Sequence, residues 1–213
     1  LAIYRNAGIL VRDGDNAGNP WGGTVKTRLW HMAEDAEWFR DKDVLGAERW
    51  ILDGNAFVRA DESYVPLLEA KMVHHYDHRF GTYEGQTAAQ ENQGKLPEFD
   101  VSEHDSPHRT SWPYYWVPGA EVDARLRDVW RRGWLLGWRD ICRSTDQRTV
   151  IASIFPRAAA GNTLPLMFVP SSPELCAAFY AVLCSFVFDY AARQKIGGTP
   201  LTFNYFKQLP AHA

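Results

Sequence analysis

The sequence predicts a mixed α+β fold, a twisted sheet around one long buried helix at about 173–195. Three observations lead there. Ser171-Ser172-Pro173-Glu174 is a helix start, with a serine cap, a proline in the first turn and an acidic residue beside the positive end of the helix dipole. The run that follows is apolar on nearly every face until Asp189, which places it in the middle of a core, and Gly197-Gly198 ends it. Short apolar runs at 64–68, 149–155 and 164–169 read as strands. At 213 residues and 46% hydrophobic content, the chain can bury a core of that kind.

In chain order, 1–23 is rich in Gly, Asn and Asp and reads as loop, with a turn at Asn19-Pro20-Trp21. Alternation at 24–32 suggests a strand and 34–40 a short helix. Residues 48–60 read as irregular or extended chain leading into the 64–68 strand. The stretch 84–113 is polar, rich in Gln, Glu, Ser and Pro, and poor in aliphatic residues. It reads as a long loop or excursion, the segment expected to be disordered. Pro118-Gly119 introduces a helix at 120–133, with Val122, Leu126, Val129 and Trp130 at helical spacing. Residues 138–143 are expected to be extended. The 149–155 strand is stopped by Pro156, and Gly161-Asn162 turns the chain into the 164–169 strand. After the long helix, 201–209 returns as a strand or extended segment. There is no internal repeat, and 1–213 is expected to form a single domain.

The aromatic share, 14% with nine Trp, suits an aromatic core, a wet interface or a base-stacking surface. Net charge is −3, so nucleic-acid contact would have to come from a local patch. Cys142, Cys176 and Cys184 have no CxxC spacing, which argues for a reducing compartment and against a structural zinc. The longest apolar run, 175–188, is too short to span a bilayer, and no signal peptide is visible. A soluble, cytoplasmic protein without membrane contact is therefore expected. The chain opens on Leu1 without an initiator Met, so it is read as a piece of a larger polypeptide.

Chemistry gathers at 64–83, YVPLLEAKMVHHYDHRFGTY. His74 and His78 stand four apart with Asp77 between them. The helical zinc signature needs a Glu directly after its first His, however, and position 75 is another His. No metal ligand is assigned. Glu69-Ala70-Lys71 has the shape of the ExK half of a Mg²⁺-dependent nuclease, with Asp53 or Asp61 as the earlier acid. That reading stays open as an alternative, with Glu69 and Lys71 as a plain ion pair beside it. A third pattern lies at 125–148. Seven Arg and three Asp leave a local excess of four positive charges, interleaved with Trp130, Trp134 and Trp138. Arginines grip phosphates or guanine edges, and aromatics stack on bases. The first half of that stretch also reads as the solvated face of a helix. Arg139, Arg143 and Arg148, beside Ser144 and Thr145, fit a phosphate grip better.

Four stretches together resemble one family. The segment 64–83 is similar to "PLYEGKMIHQFDHR" in large adenine-specific DNA methyltransferases of bacterial restriction-modification and phage-defence systems, including fused restriction-methylation (type IIG-like) polypeptides. RDICRSTDQRTVIASIFP resembles their "R-x-I-x-x-x-T-[ND]-x-R-T-x-I-x-x-x-x-P". Residues 185–210 resemble "NS-x-x-FDY-x-x-R-x-K-x-GG-x-x-L…LP", and WGGTVKTRLWHMAEDAEWF fits the entry to the region. Each motif is loose by itself; their collinear order over 21–210 carries the likeness. The helix followed by Gly-Gly is also similar to recognition domains of type I specificity subunits. Two positions depart: His75 stands in place of Gln, and Cys184 in place of Asn before Ser185.

The resemblance implies a target-recognition-domain-like fold and sequence-specific recognition of double-stranded DNA. The family's glycine-rich cofactor loop and Asn-Pro-Pro-aromatic motif are not among these residues. No catalytic residue and no cofactor are therefore assigned to this chain. Methyl transfer from S-adenosylmethionine, and any endonuclease activity, would belong to the parent enzyme and its upstream methyltransferase domain. The expected DNA-facing cleft is lined by Lys71, His74, His75 and Arg79 on one side and Arg139, Arg143, Thr145 and Arg148 on the other. Arg193 and Lys195 reach phosphates at the end of the long helix, and Gly197 and Gly198 permit close backbone approach. A protein-interaction module is the remaining alternative.

Overall fold

The computed structural model describes residues 2–15, 17–198 and 200–211. The expectation attached to Leu1 lies outside the described residues. The class is mixed α+β with antiparallel sheets, as the sequence suggests. The helices α1 (Ala2–Ala7), α2 (Lys42–Ala47), α3 (Ala88–Asn92), α4 (Val101–Asp105), α5 (Gly119–Leu126), α6 (Pro173–Cys184), α7 (Phe186–Lys195) and α8 (Phe203–Phe206) surround two sheets. One sheet joins β1 (Thr24–Lys26), β6 (Trp134–Trp138), β7 (Ala152–Pro156) and β9 (Leu166–Phe168) in the order β1-β9-β6-β7. The other joins β2 (Ile51–Asp53), β3 (Ala56–Arg59), β4 (Glu62–Leu68) and β5 (Trp116–Pro118) in sequence order. The end of β4 also pairs in parallel with β8 (Ala159–Ala160), which follows β7 closely in the chain.

The β1-β9-β6-β7 sheet is the centre of the molecule because both its faces are apolar. Along β6, Leu136 and Trp138 enter one core while Leu135 enters the other, the period-two alternation of a pleated strand. The first core is closed by α6, α7 and α8 through Phe179, Leu183, Phe188 and Phe206. The second is closed by the end of β4, the 70–73 segment and α5 through Leu67, Met72, Val122 and Leu126. Gly137 is fixed by this packing. A Cβ there would lie 2.9 Å from the Pro165 carbonyl oxygen, just before the neighbouring strand β9. A third, smaller cluster of Leu45, Trp50, Phe57 and Trp116 holds α2 against the β2–β5 sheet.

Several expectations are corrected. The 173–195 helix is two helices bent by 54°. Ser185 ends α6 and its hydroxyl caps α7 by accepting from the Phe188 N–H. Nor does the pair lie in the middle of the core. It covers one face of the sheet and buries one stripe, Cys176, Phe179, Tyr180, Leu183 and Cys184 along α6, the spacing of one helical face. Leu175, Phe186, Val187 and Tyr190 remain exposed. The 201–209 segment is helical at α8, where Phe206 stacks on Trp138 at 4.3 Å. The irregular or extended chain expected at 48–60 includes extended chain, the β2–β3 hairpin. The 120–133 helix stops at Leu126, so that 134–138 can enter the sheet as β6. The 84–113 excursion is folded. Both α3 and α4 carry complete capping boxes, Thr87 with Gln90 and Asp100 with Glu103, while Leu96 and Phe99 are buried.

Candidate nucleic-acid interface

The chain leaves β4, makes a 3-10 turn at Ala70–Met72 and buries Met72 and Val73. It then reverses sharply. The His74 N–H donates to the Asp77 carbonyl (2.7 Å) and the Asp77 N–H to the His74 carbonyl (3.1 Å), with His75 and Tyr76 at the tip. Tyr76 has φ 60°, the left-handed value that the third position of a type II turn requires and that Gly or Asn usually supplies. A bulky residue there is strained by roughly 1–2 kcal/mol, so the surroundings must hold it. They do. The Tyr76 N–H donates to the Tyr180 hydroxyl at 2.7 Å, and His75 Nδ1 lies 3.2 Å from the Ala152 carbonyl and 3.1 Å from Cys184 Sγ.

Guanidiniums come to the same place from just past the end of β6, from the loop before β7 and from α7. Arg139 donates through Nε and Nη2 to the Val73 carbonyl (2.9 and 2.6 Å) and lies 5.2 Å from the Phe80 ring centre. Arg148 donates to the Cys184 carbonyl at 2.7 Å, satisfying the end of α6, and its Nε is 3.4 Å from Asp189. The Asp189 carboxylate, 5% exposed, accepts the N–H groups of Thr149 and Val150 at 2.7 and 2.8 Å. It pairs with Arg193 at 3.3 Å, and Arg193 also donates to the carbonyls of Asp146 and Gln147. One buried acid thus lashes the 143–150 loop to α7.

The histidines contribute no positive charge. Burial, helped by the Arg139 charge, pulls His74 down to about 4, and burial with Arg148 lowers His75. Both are neutral at neutral pH. Arg139 is pulled down by burial to about 10 and keeps its charge. The cations of the cluster are therefore Arg139, Arg148 and Arg193, with Arg143 and Thr145 exposed on the adjoining loop.

The other expected site residues lie elsewhere or are engaged. Lys71 sits 3.9 Å from Glu69 and 4.8 Å from the Tyr83 ring centre, and Glu69 accepts from the Tyr83 hydroxyl. The guanidinium of Arg79 donates to the carbonyls of His104, Ser106 and Arg109, and so staples the 84–113 excursion. Lys195 bonds Gln208 at 2.8 Å and faces Tyr4. Gly197 and Gly198 are exposed beyond α7.

Asp61 and Glu69 flank β4 at its two ends, roughly 26 Å apart at the rise of an extended strand, too far to share one ion. Among the described residues, no three His, Cys, Asp or Glu side chains are grouped to hold a metal ion, and no single helix is long and apolar enough to cross a membrane.

Sequence reasoning missed Tyr76, Asp189 and Phe186. An acid inside an apolar helical run and an aromatic between His75 and Asp77 were the available signals. Comparison with family models, curated proteins and solved structures finds no match to this chain.

Proposed function

We propose that this chain is a target-recognition domain that binds double-stranded DNA sequence-specifically. Its parent would be an adenine-N6 DNA methyltransferase, or a restriction-modification fusion of the phage-defence type, acting in the bacterial cytoplasm. One observation carries the reading. Three of the four stretches that resemble that family, 64–83, 139–156 and 185–210, meet at a single cluster through His75, Arg139, Arg148 and Asp189. Distant segments bring guanidiniums to one surface beside an exposed hydroxyl-bearing loop, which suits a phosphate backbone.

In this reading Arg143 and Thr145 touch DNA directly, while Arg139 and Arg148 shape and charge the surface from behind. Arg193 adds charge at its edge. The neutral His74 and His75 are positioning residues for the 74–77 turn. Lys71, Arg79, Lys195, Gly197 and Gly198 are left outside the proposed contact. S-adenosylmethionine and methyl transfer belong to the upstream methyltransferase domain of the parent.

The test is equilibrium binding of the chain to duplex DNA across a salt series. Affinity should fall linearly on logarithmic axes as salt rises, with a slope set by the number of phosphates neutralised. Absence of binding at low salt refutes the proposal.

A further inference from the structure

Beside the arginine cluster stand two rings that the core does not use. Tyr76 is 72% exposed at the tip of its turn and Phe186 is 79% exposed at the start of α7. Each is held from below. Tyr76 is clamped by its backbone bond to Tyr180, whose ring centre lies 5.2 Å from its own. Phe186 follows directly on the Ser185 cap, with the Arg148 guanidinium 4.8 Å from its ring centre. The two positions adjoin, because His75 next to Tyr76 touches Cys184, two residues before Phe186. Val187 and Tyr190, 54% and 58% exposed, continue the apolar strip along α7.

Exposed apolar side chains grouped in this way mark an interaction surface. Its flank carries Arg148 and Arg193 sharing the single buried Asp189, with Arg143 on the adjacent loop and Asp146 as the exposed acid there. Flat rings with a cationic rim match a flat apolar ligand that carries negative charge, which describes stacked bases between phosphates. The strained backbone at Tyr76 supports this choice, since such strain persists where a projecting side chain has work to do.

We propose that Tyr76 and Phe186 form a wedge that enters duplex DNA between adjacent base pairs, unstacking one step and bending the helix toward the arginine cluster. This rests on the DNA-recognition reading and adds to it a mode of binding. Each ring offers one face for a base to stack on, so each truncation to alanine should weaken binding on the order of 10- to 100-fold. The salt slope should not change, because no phosphate contact is lost.

The probe is a duplex selected from a random-sequence pool by repeated binding to the intact chain, then placed in a plasmid relaxed by topoisomerase with and without protein. The wild-type chain should shift the topoisomer distribution toward unwinding. The Tyr76→Ala/Phe186→Ala variant should bind more weakly with the same salt slope and leave the distribution unshifted. Both side chains are exposed, and circular dichroism checks that the variant is folded. Binding by the wild type without a topoisomer shift overturns the wedge and leaves DNA recognition standing. Failure of the pool to enrich at low salt overturns both. If the double variant binds DNA normally but dissociates a dimer in sedimentation, the strip covers a second copy of the chain and the wedge is wrong.

Discussion

Two arginine-rich places in this molecule balance their charges in opposite ways. At the foot of α5, one guanidinium meets two acids: Arg125 pairs with Asp35 at 2.8 Å and Glu121 at 3.1 Å. It also donates to the Leu29 carbonyl and lies 3.7 Å above the Trp30 ring. At α7 one acid meets two guanidiniums, Asp189 between Arg148 and Arg193. The first place carries a surplus negative charge and the second a surplus positive one. Arginines from the same basic stretch of sequence therefore do different work. Arg125 is a latch, as is Arg132, which lies over Trp130 and Trp134; beyond that stretch Arg157 acts likewise by pairing with Asp123. The cluster at Asp189 keeps positive charge to offer a partner.

Removing the shared acid should have the largest effect. Asp189→Ala leaves two guanidiniums without their shared counter-charge and two buried N–H groups without their acceptor, and should cost about 3–5 kcal/mol in chemical denaturation. A loss below 1 kcal/mol would mean that water replaces the carboxylate, and the contrast between the two places would collapse. Arg125→Ala should cost less, about 1.5–3 kcal/mol, because Asp35 and Glu121 retain access to solvent. It should leave DNA affinity unchanged in a binding titration.

Acid should act at the cluster rather than the latch. The folded protein holds His74 at about 4, whereas an unfolded imidazole titrates near 6.5. The unfolded chain thus binds the extra proton between these values. Stability contributed by the neutral ring is present above pH 6.5 and is lost as pH falls toward 4. The partly exposed ring is screened by water, so the loss is about 1 kcal/mol. Thermal melts from pH 7 to 4.5 should fall less steeply in His74→Phe. The smallest change in stability is expected at exposed Arg143. Arg143→Ala should leave folding within about 0.5 kcal/mol of the wild type while lowering the salt slope of DNA binding by roughly one.

Strands near the expected 64–68, 149–155 and 164–169 were legible because β4, β7 and β9 are apolar where they run through or beside a core, although β7 begins only at Ala152 and runs through Pro156. The Asn19 turn was legible from its residue types, and the Asn19 carbonyl accepts the Gly22 N–H at 2.9 Å. The break at Ser185 was not, because a serine inside an apolar run reads equally as a tolerated helical residue or as a cap. β6 was hidden for a related reason. Its apolar residues continue the helical spacing of Val122, Leu126 and Trp130, and pairing with β7 and β9 settles the matter. The 84–113 excursion looked disordered by composition. Its order comes from Arg79, outside the segment, and from the burial of Leu96 and Phe99.

Of the site, the sequence by itself determined which residue types were available: basic and hydroxyl-bearing side chains at 139–148, imidazoles at 74–75 and a capped apolar helix start at 172–174. Local spacing and capping are written in neighbouring residues, so these could be read directly. Only the tertiary structure decided which guanidiniums are spent on carbonyls and acids, that both imidazoles are neutral, and that Tyr76 and Phe186 stand together outside the core. Charge state and exposure depend on what the rest of the chain places within a few ångströms, and here the partners lie up to 109 residues away.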